Sequence, residues 1–366
     1  MERVHNFCAG PCTLPESVIR ELADEMPDFG GSGMSLIEMS HRDPVYDEVH
    51  HDTINLLREL YLVPDDFSIL LLQGGASLQF AMVPMNLLAA GDGGKPGRGG
   101  YVVTGSWASK ALEDASRIDG ASYEAWSGAE DGFVRMPQAS ELKIEDNSRY
   151  LHVTSNETIG GIRLPEFYEL DVRQVADMSS DYLTRSVPWD RFDLIYGGAQ
   201  KNIGPAGLTV VFVRNSVLAE APANTPSYLR YENHAKSDSL ANTPPVFAIW
   251  ATGKMLKWMK SNGGVAGMEA RAAERSSMIY GRIDSSDGFF TSPVDSDCRS
   301  HTNVVFRLGS EELESRFLAE AKEQKLMNLK GHRSVGGVRA SIYNALPTES
   351  VAALAEFMDG FAAANG

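Results

Sequence analysis

Lys201 has unusual surroundings for a lysine. It lies in the stretch IYGGAQKNIGPAG (195–207), where no other charged residue stands within five positions on either side. An apolar setting lowers the pKa of a lysine, and the neutral amine can then attack an aldehyde. The residue alone leaves three interpretations open: a nucleophile that condenses with an aldehyde cofactor, a phosphate-binding lysine, or a buried structural lysine.

Asp177 is a second residue whose type fits aldehyde-cofactor chemistry. A pyridoxal phosphate enzyme needs an acidic group that keeps the pyridine nitrogen of the cofactor protonated, so that the ring accepts electrons. Asp177 lies in VRQVADMSS (172–180), 24 residues before Lys201. Taken alone, it is more typical of a helix cap or a turn. The two residues together favour the cofactor interpretation.

The elements that must position Lys201 and Asp177 are short apolar strands that alternate with helices through the first two-thirds of the chain. This alternation predicts an α/β fold with a mainly parallel sheet covered by helices on both faces. Ligands of such sheets bind at the carboxyl ends of the strands, where both residues fall. The predicted strands are 67–75, 101–106, 150–155, 172–180, 192–198 and 208–214, and the predicted helices between them include 77–90 and 107–118.

The pattern changes after a long predicted helix, 246–262, which ends at Gly263–Gly264. The following segments predict a smaller α+β domain, with helices at 265–283 and 348–364 and strands at 303–308 and 338–343. We therefore predict a large domain of residues 16–262 and a small C-terminal domain of residues 263–366.

The formal net charge of −16 argues against a nucleic-acid partner, because polyanions would be repelled. A pocket for a small anion would have to concentrate arginine and histidine against this overall charge. No stretch approaches the ~20 apolar residues of a membrane span, and three cysteines are too few for a disulfide framework. We expect a cytoplasmic protein with no membrane partner.

Some features resemble other kinds of site but lack the context that those sites need. Cys8 and Cys12, and the adjacent His50 and His51, have no metal-ligand spacing around them, so we expect no metal site. The glycine-rich stretch GDGGKPGRGG (91–100) follows a predicted helix, and its lysine is followed by proline. A phosphate-binding loop needs a preceding strand and a serine or threonine at that place, so the stretch predicts a turn.

Four stretches resemble the phosphoserine aminotransferase family, which belongs to class V of the fold type I pyridoxal phosphate enzymes. They are VTSNETIGG (153–161), AQKNIGPAGLTVVFVR (199–214), NTPPVFAIW (242–250) and KGHRSVGGVRASIYNA (330–345). The resemblance extends over nearly the whole chain. It implies a mainly parallel seven-stranded sheet in the large domain, and an N-terminal segment (1–15) that packs with the small domain at the entrance of the active site.

The resemblance also implies roles for individual residues around the cofactor. Lys201 binds the aldehyde carbon of pyridoxal phosphate and later shuttles a proton, while Asp177 pairs with the pyridine nitrogen. Trp107 stacks on the ring, and Thr158 donates a hydrogen bond to the phenolic oxygen. Gln200 approaches the phosphate.

The cofactor phosphate needs hydrogen-bond donors. The segment QGGAS (73–77) follows a predicted strand and opens a helix, so the backbone N–H groups of Ala76 and Ser77 can bind an anion. Some relatives carry arginine where this chain has Ser77, so less positive charge reaches the phosphate here. Asn242 and Thr243 resemble residues that reach the phosphate from a partner subunit. The resemblance therefore implies a homodimer with active sites shared across the interface.

Two histidine–arginine pairs indicate an anionic substrate. MSHRDP supplies His41 and Arg42, and GHRSVGGVR supplies His332, Arg333 and Arg339. One arginine suits an α-carboxylate, because its planar fork makes two parallel bonds. The remaining positive residues are more than one carboxylate needs, and they fit a side-chain phosphate with three acceptor oxygens. By resemblance, Arg339 holds the carboxylate and the other four residues surround the phosphate.

The resemblance implies reversible amino transfer between L-glutamate and 3-phosphohydroxypyruvate, which gives 2-oxoglutarate and O-phospho-L-serine in serine biosynthesis. Bacterial members often also aminate the keto acid that leads to 4-phosphohydroxythreonine in vitamin B6 synthesis, and the sequence leaves this open. The rivals are a serine–glyoxylate aminotransferase, a cysteine desulfurase and a cofactor-free Rossmann-like binding protein. A desulfurase needs a mobile nucleophilic cysteine, for which Cys298 is the candidate outside the N-terminus.

Overall fold

The computed structural model describes residues 3–88, 97–118 and 122–366. In these residues the strands are β1 (His5–Asn6), β2 (Phe67–Leu72), β3 (Arg98–Val103), β4 (Ser122–Ser127), β5 (Ser148–Thr154), β6 (Asn156–Glu157), β7 (Ile162–Arg163), β8 (Gln174–Asp177), β9 (Phe192–Gly198), β10 (Thr209–Arg214), β11 (Phe290–Thr291), β12 (Asn303–Leu308), β13 (Leu326–Met327) and β14 (Val338–Ser341). The helices are α1 (Glu16–Glu25), α2 (Pro44–Tyr61), α3 (Gly75–Leu87), α4 (Ser106–Ile118), α5 (Tyr231–Lys236), α6 (Val246–Ser261), α7 (Gly264–Asp284), α8 (Glu311–Glu323) and α9 (Thr348–Asn365).

One sheet contains seven strands in the order β2-β10-β9-β8-β5-β3-β4. β10 is antiparallel to both of its neighbours, and every other neighbouring pair in this sheet is parallel. The predicted α/β fold with a mainly parallel seven-stranded sheet is therefore confirmed. The direction of β10 could not be inferred from its apolar run, because a buried antiparallel strand reads the same way.

Successive residues of β10 pack on opposite faces of this sheet, as the two-residue period of a strand requires. Val210 and Phe212 belong to one buried apolar cluster, together with residues of α2 and α6. Val211 and Val213 belong to another, together with residues of α3 and α4. Helices thus cover both faces, which explains why the strands read as continuous apolar runs.

The predicted turn at 91–100 is wrong over its last three residues, because Arg98–Val103 forms β3. The rest of that stretch up to residue 96 lies outside the described residues. Gly99 and Gly100 are needed inside the strand because a Cβ at either position would come within 2.6 Å of a tyrosine hydroxyl. The glycines therefore admit neighbouring aromatic side chains rather than making a turn.

The C-terminal part of the chain contains a second sheet, β11-β12-β14, which is antiparallel. It packs with α7, α8 and α9 around a separate buried cluster that includes Phe306, Phe317 and Phe357. β1 pairs in parallel with β13, and Phe7 is buried in the same cluster. The domain boundaries at residues 15 and 262 stay predictions.

A buried polar network joins the β6–β7 pair to the C-terminal sheet and to the N-terminal segment. Asn303, the first residue of β12, accepts a hydrogen bond of 2.8 Å from the side chain of Asn156 in β6. The Asn303 amide donates to the Tyr343 hydroxyl at 3.1 Å, and that hydroxyl donates to the carbonyl oxygen of Ala9 at 2.8 Å. Within residues 3–88, 97–118 and 122–366, each helix is too short or too polar to cross a lipid bilayer.

Candidate active site

The carboxyl ends of the parallel strands meet at one edge of the seven-stranded sheet. Asp177, the last residue of β8, is in register with Thr154 at the end of β5 and with Tyr196 in β9. The segments that follow these strands therefore lie side by side. They carry Thr158 after β5 and Lys201 after β9, and α3 and α4 begin at the ends of β2 and β3.

The Lys201 amine contacts two of the residues predicted to surround it. Its Nζ donates a hydrogen bond of 2.6 Å to the Thr158 hydroxyl and lies 5.1 Å from the centre of the Trp107 ring. Burial lowers the pKa of Lys201, and the carboxylates of Asp177 and Glu157 oppose that fall. The structure thus brings together an amine that deprotonates more readily than an ordinary lysine, a hydroxyl that holds it, and a flat aromatic face.

Asp177 is 5% exposed, and only one of its two carboxylate oxygens accepts hydrogen bonds from the described residues. Its Oδ1 accepts hydrogen bonds from the Ser179 backbone N–H at 2.9 Å and from the Ser179 hydroxyl at 2.6 Å. Among the described residues, Oδ2 has no hydrogen-bond donor. Burial raises the pKa of Asp177, and the Lys201 ammonium and the Ser179 donors oppose the rise. One carboxylate oxygen is therefore left for a cationic N–H.

Glu157 is a site residue that the sequence analysis missed. Its side chain is fully buried, and it accepts hydrogen bonds from the backbone N–H groups of Trp107 (3.2 Å) and Ala108 (2.9 Å) in the first turn of α4. Burial raises the pKa of Glu157 to about 7; the two backbone bonds and the Lys201 charge oppose this, and the Asp177 charge adds to it. A glutamate immediately after a predicted buried strand was the available signal.

Trp107 lies in the first turn of α4, and its ring contacts two lysines. The ring faces Lys201 on one side, and Lys110, one helical turn later, places its Nζ 4.6 Å from the ring centre. The indole Nε1 is buried and has no hydrogen-bond partner among the described residues. Lys110 is a second residue that the sequence analysis missed, since a lysine on an amphipathic helix carries no signal by itself.

The first turn of α3 is left open, in contrast to that of α4. Gly74 and Gly75 adopt positive φ angles of 92° and 67°, and no side chain caps the helix. Ala76 and Ser77 follow in the first turn, as predicted, and Ser77 is exposed. Uncapped backbone N–H groups at a helix N-terminus are suited to an anion.

Gln200 lies in the turn between β9 and Lys201. Its side chain folds over Gly198, where an added Cβ would stand 2.3 Å from the Gln200 Oε1. Its carbonyl oxygen accepts the Cys12 backbone N–H at 2.9 Å. The predicted approach of Gln200 to a phosphate stays a prediction, and the observed contact ties the N-terminal segment to the residue before Lys201.

Arg339 reaches the site from β14 of the C-terminal sheet. It is half-buried, and its Nη1 donates to the Thr158 carbonyl oxygen at 3.3 Å. Burial lowers the pKa of His332, and the neighbouring Arg339, Arg333 and Lys110 lower it further. The structure therefore gathers positive groups near Arg339, and Arg333 among them is exposed.

Four predicted site residues lie outside this cluster in the single chain. Arg42, Asn242 and Thr243 are exposed, and His41 is half-buried in the segment before α2. The Thr243 carbonyl oxygen accepts a hydrogen bond of 3.1 Å from Gln73, which precedes the first turn of α3. Among the described residues, no side-chain hydrogen bond joins His41 or Arg42 to Lys201 or Arg339.

The residues considered for other chemistry have structural contacts. His50 is buried, and its two ring nitrogens lie 2.7 Å from the Asp238 carbonyl oxygen and 3.4 Å from the Tyr46 hydroxyl. Cys298 is buried, its sulfur accepts the Met136 backbone N–H, and burial raises its pKa. A buried, bonded thiol does not fit the mobile nucleophile of a desulfurase. Over the part of the chain that the structure describes, no cluster of side chains could hold a metal ion.

The residues present fit pyridoxal phosphate. Asp177 leaves one oxygen open, Trp107 presents a ring face beside the Lys201 amine, and the first turn of α3 is uncapped. These features match the pyridine nitrogen, the flat ring, the aldehyde carbon and the phosphate of that cofactor. The fold and this site define a pyridoxal-phosphate-dependent enzyme.

Comparison with known proteins agrees with this class. The sequence model described as "Aminotransferase class-V" matches residues 4–354, so the chain belongs to the class-V aminotransferase family. A phosphoserine aminotransferase of Laribacter hongkongensis is 50% identical over 363 residues, covering 99% of each chain. The solved phosphoserine aminotransferase of Bacillus circulans subsp. alkalophilus superposes with a TM-score of 0.96 at 46% identity, covering all of both chains. The solved pyridoxal-phosphate-bound phosphoserine aminotransferase of Trichomonas vaginalis gives a TM-score of 0.92 at 34% identity over 98% of this chain and 100% of that chain.

We expect Glu157→Gln to remove a pH dependence of stability. The folded-state pKa of Glu157 is about 7, against an ordinary value of 4.5, so between these values the folded chain holds a proton that the unfolded chain has lost. The free energy of unfolding of the parent protein should therefore fall, relative to the variant, by about 1.4 kcal/mol per pH unit over that range. Urea unfolding of the cofactor-free proteins at a series of pH values measures this difference.

Glu141→Gln is the matched control for this experiment. Glu141 also accepts a backbone N–H, from Gln138, but its pKa is lowered to about 2 by the Arg135 hydrogen bonds and the Gln138 bond. Glu141 is therefore already ionised in the folded protein between pH 4.5 and about 7. The control should show the same change in the free energy of unfolding with pH as the parent protein. Parallel curves for the parent and Glu157→Gln would contradict the buried-acid assignment.

Proposed function

We propose that this aminotransferase exchanges an amino group between L-glutamate and 3-phosphohydroxypyruvate, giving 2-oxoglutarate and O-phospho-L-serine. The observation that carries the proposal is a set of arginines without acidic partners. Among the described residues, no carboxylate lies within ion-pair distance of Arg42, Arg333 or Arg339, although most other arginines there form ion pairs. The names of the similar proteins support the same substrates.

Arg339 is half-buried without an acidic partner, so a bound anion would offset the cost of that burial, and the exposed Arg42 and Arg333 have no carboxylate that would compete with an anion. Arg339 donates to the Thr158 carbonyl beside Lys201, which supports a role in holding the substrate α-carboxylate next to the reacting carbon. His332 and Arg333 precede Arg339 in the same segment and fit a phosphate. A phosphate offers more acceptor oxygens than one arginine can use. We assign His41 and Arg42 to the same phosphate.

The bound cofactor supplies an electron sink that stabilises negative charge at the substrate Cα. The protein supplies the other functions. Lys201, with its lowered pKa, would act as the base that takes the proton from the substrate Cα and as the acid that later gives one back. Thr158 holds the Lys201 amine in place, Asp177 keeps the pyridine nitrogen protonated, and Trp107 covers one face of the ring.

The cofactor phosphate is assigned to the first turn of α3. Ala76 and Ser77 offer backbone N–H groups there, Ser77 adds a hydroxyl, and Gln200 is assigned to the same group. No arginine stands at position 77, so neutral donors and the helix dipole must hold the phosphate. Asn242 and Thr243 are assigned to this phosphate from a second subunit, and the contact of Thr243 with Gln73 of its own chain makes approach within one chain the alternative that the mixing experiment below distinguishes.

We infer a cytoplasmic homodimer whose two active sites each draw on both chains. The exposure of Arg42, Asn242 and Thr243 in the single chain supports this, because exposed side chains are available to a partner subunit. In a two-fold dimer both subunits use the same surface patch, so a residue that reaches the partner's site from one chain also does so from the other chain. A single chain would then hold an incomplete site.

The cofactor assignment predicts a specific chemical label. The protein with bound pyridoxal phosphate should be yellow, and borohydride should bleach it and leave the pyridoxyl group on Lys201, as located by peptide mass spectrometry. Lys254→Ala is the control, because Lys254 is also half-buried but pairs with Glu21 and Glu25; it should label like the parent. A label on another lysine would contradict the assignment.

The substrate assignment predicts a selective loss. Arg42→Ala should raise KM for O-phosphoserine by about 10- to 100-fold, because a charged hydrogen bond contributes about 1.5–3 kcal/mol. KM for alanine, which has no phosphate, should change little. Steady-state assays with 2-oxoglutarate measure both constants, and Arg316→Ala, which removes an exposed arginine paired with Glu320, controls for net charge. Equal losses on both substrates would remove the phosphate from the proposal.

Shared sites predict that two inactive variants complement each other. Lys201→Ala and the double variant Asn242→Ala, Thr243→Ala should each be impaired as pure dimers. After subunits exchange at random, half of the dimers contain one intact site, so activity should recover to about a quarter of the parent value. If Asn242 and Thr243 act within their own chain, mixing recovers nothing.

A further inference from the structure

Two helices begin at the same edge of the seven-stranded sheet, and their first turns differ. The first turn of α3 has no side-chain cap, whereas that of α4 holds the carboxylate of Glu157 on its N–H groups. The carboxylate comes from β6, a strand remote in sequence, rather than from a capping residue next to α4. This long-range contact joins the residue before Thr158 to the residue that faces Lys201.

We propose that Glu157 is a positioning residue, which sets the place of the Trp107 ring relative to the Lys201 amine by binding the first turn of α4. The part of this proposal that concerns the cofactor rests on the proposed function. The part that concerns the ring itself does not, because the contacts belong to the chain alone.

The polar contacts of Trp107 support this role. The indole Nε1 has no hydrogen-bond partner among the described residues, so the hydrogen bond that restrains this residue near the ring is its backbone N–H to Glu157 Oε2. Lys110 also packs on the ring, but its side chain is exposed, so this contact is made from the solvent side and is weaker than a buried hydrogen bond. Among the described residues, no cation forms an ion pair with Glu157, so its role is to accept the two N–H groups.

Gly105 shows how closely β6 approaches α4. A Cβ at Gly105 would stand 2.6 Å from the Glu157 carboxyl carbon, so the residue before α4 has to be glycine for the carboxylate to reach the helix. Thr158, the residue after this strand, binds the Lys201 amine. One short segment therefore contacts both the first turn of α4, which carries the ring, and the amine.

The first test measures the surroundings of the Trp107 ring by fluorescence in the cofactor-free protein. Emission of Trp107 is obtained as the difference between a protein and its Trp107→Phe counterpart, in the parent and in the Glu157→Gln background. An amide accepts only one of the two N–H groups, so the Trp107 emission in Glu157→Gln should shift and be quenched more strongly by acrylamide. Glu141→Gln should leave the difference spectrum unchanged. An identical difference spectrum in Glu157→Gln would overturn the proposal.

The second test is a double-mutant cycle in which the dissociation constant of pyridoxal phosphate is measured. The titrations are made at a pH above the Glu157 pKa of about 7, where this carboxyl is ionised. Glu157→Gln should weaken binding about tenfold, the equivalent of one lost hydrogen bond, in the parent background. In the Trp107→Ala background the same substitution should change nothing further, because the ring it positions is gone. Equal weakening in both backgrounds would mean that Glu157 acts by another route and would overturn the proposal.

The two tests separate the inference from the proposed function. If the parent protein binds no pyridoxal phosphate, the proposed function fails, and the fluorescence difference still decides the role of Glu157. Melting temperatures of every variant show that it is folded. If Glu157→Gln does not fold, Glu157→Asp, which keeps the charge but withdraws it by one methylene, takes its place in both tests.

Discussion

One amine and two carboxylates share a buried edge of the sheet, and the amine offsets part of the cost of burying both carboxylates. Burial alone disfavours every charge there, which is why the pKa of Lys201 falls and those of Asp177 and Glu157 rise. The opposite charges offset part of that cost in each case. Removing the Lys201 amine would leave the two like charges without their shared partner, so the segments that carry the three groups must keep their register.

The same edge uses helix N-termini in two ways. At α4 the chain supplies its own carboxylate, and the helix becomes a fixed platform for Trp107. At α3 the glycines at positive φ angles open the turn and no side chain fills it, so an external anion can bind. The contrast separates structural support, after β3, from ligand binding, after β2.

The sequence allowed Lys201 and Asp177 to be found because each is a charged residue in an apolar run, at the end of a predicted strand. The sheet was predictable for the same reason, since buried parallel strands read as continuous apolar segments. The direction of β10 was not, because burial erases the difference between parallel and antiparallel strands. Lys110 was missed because its role depends on a contact with Trp107 that no local pattern encodes. Glu157 was missed because its place just after a predicted strand does not show that its carboxylate bonds to α4.

The N-terminal segment is tied to the last part of the chain. β1 pairs with β13, the Ala9 carbonyl oxygen accepts the Tyr343 hydroxyl, and the Cys12 backbone N–H binds the residue before Lys201. The two strands of this pair lie some 320 residues apart in the chain, so their pairing closes a loop that contains most of the protein. Contacts between residues so distant in sequence form slowly, so the segment beside the reactive lysine depends on a highly non-local pairing.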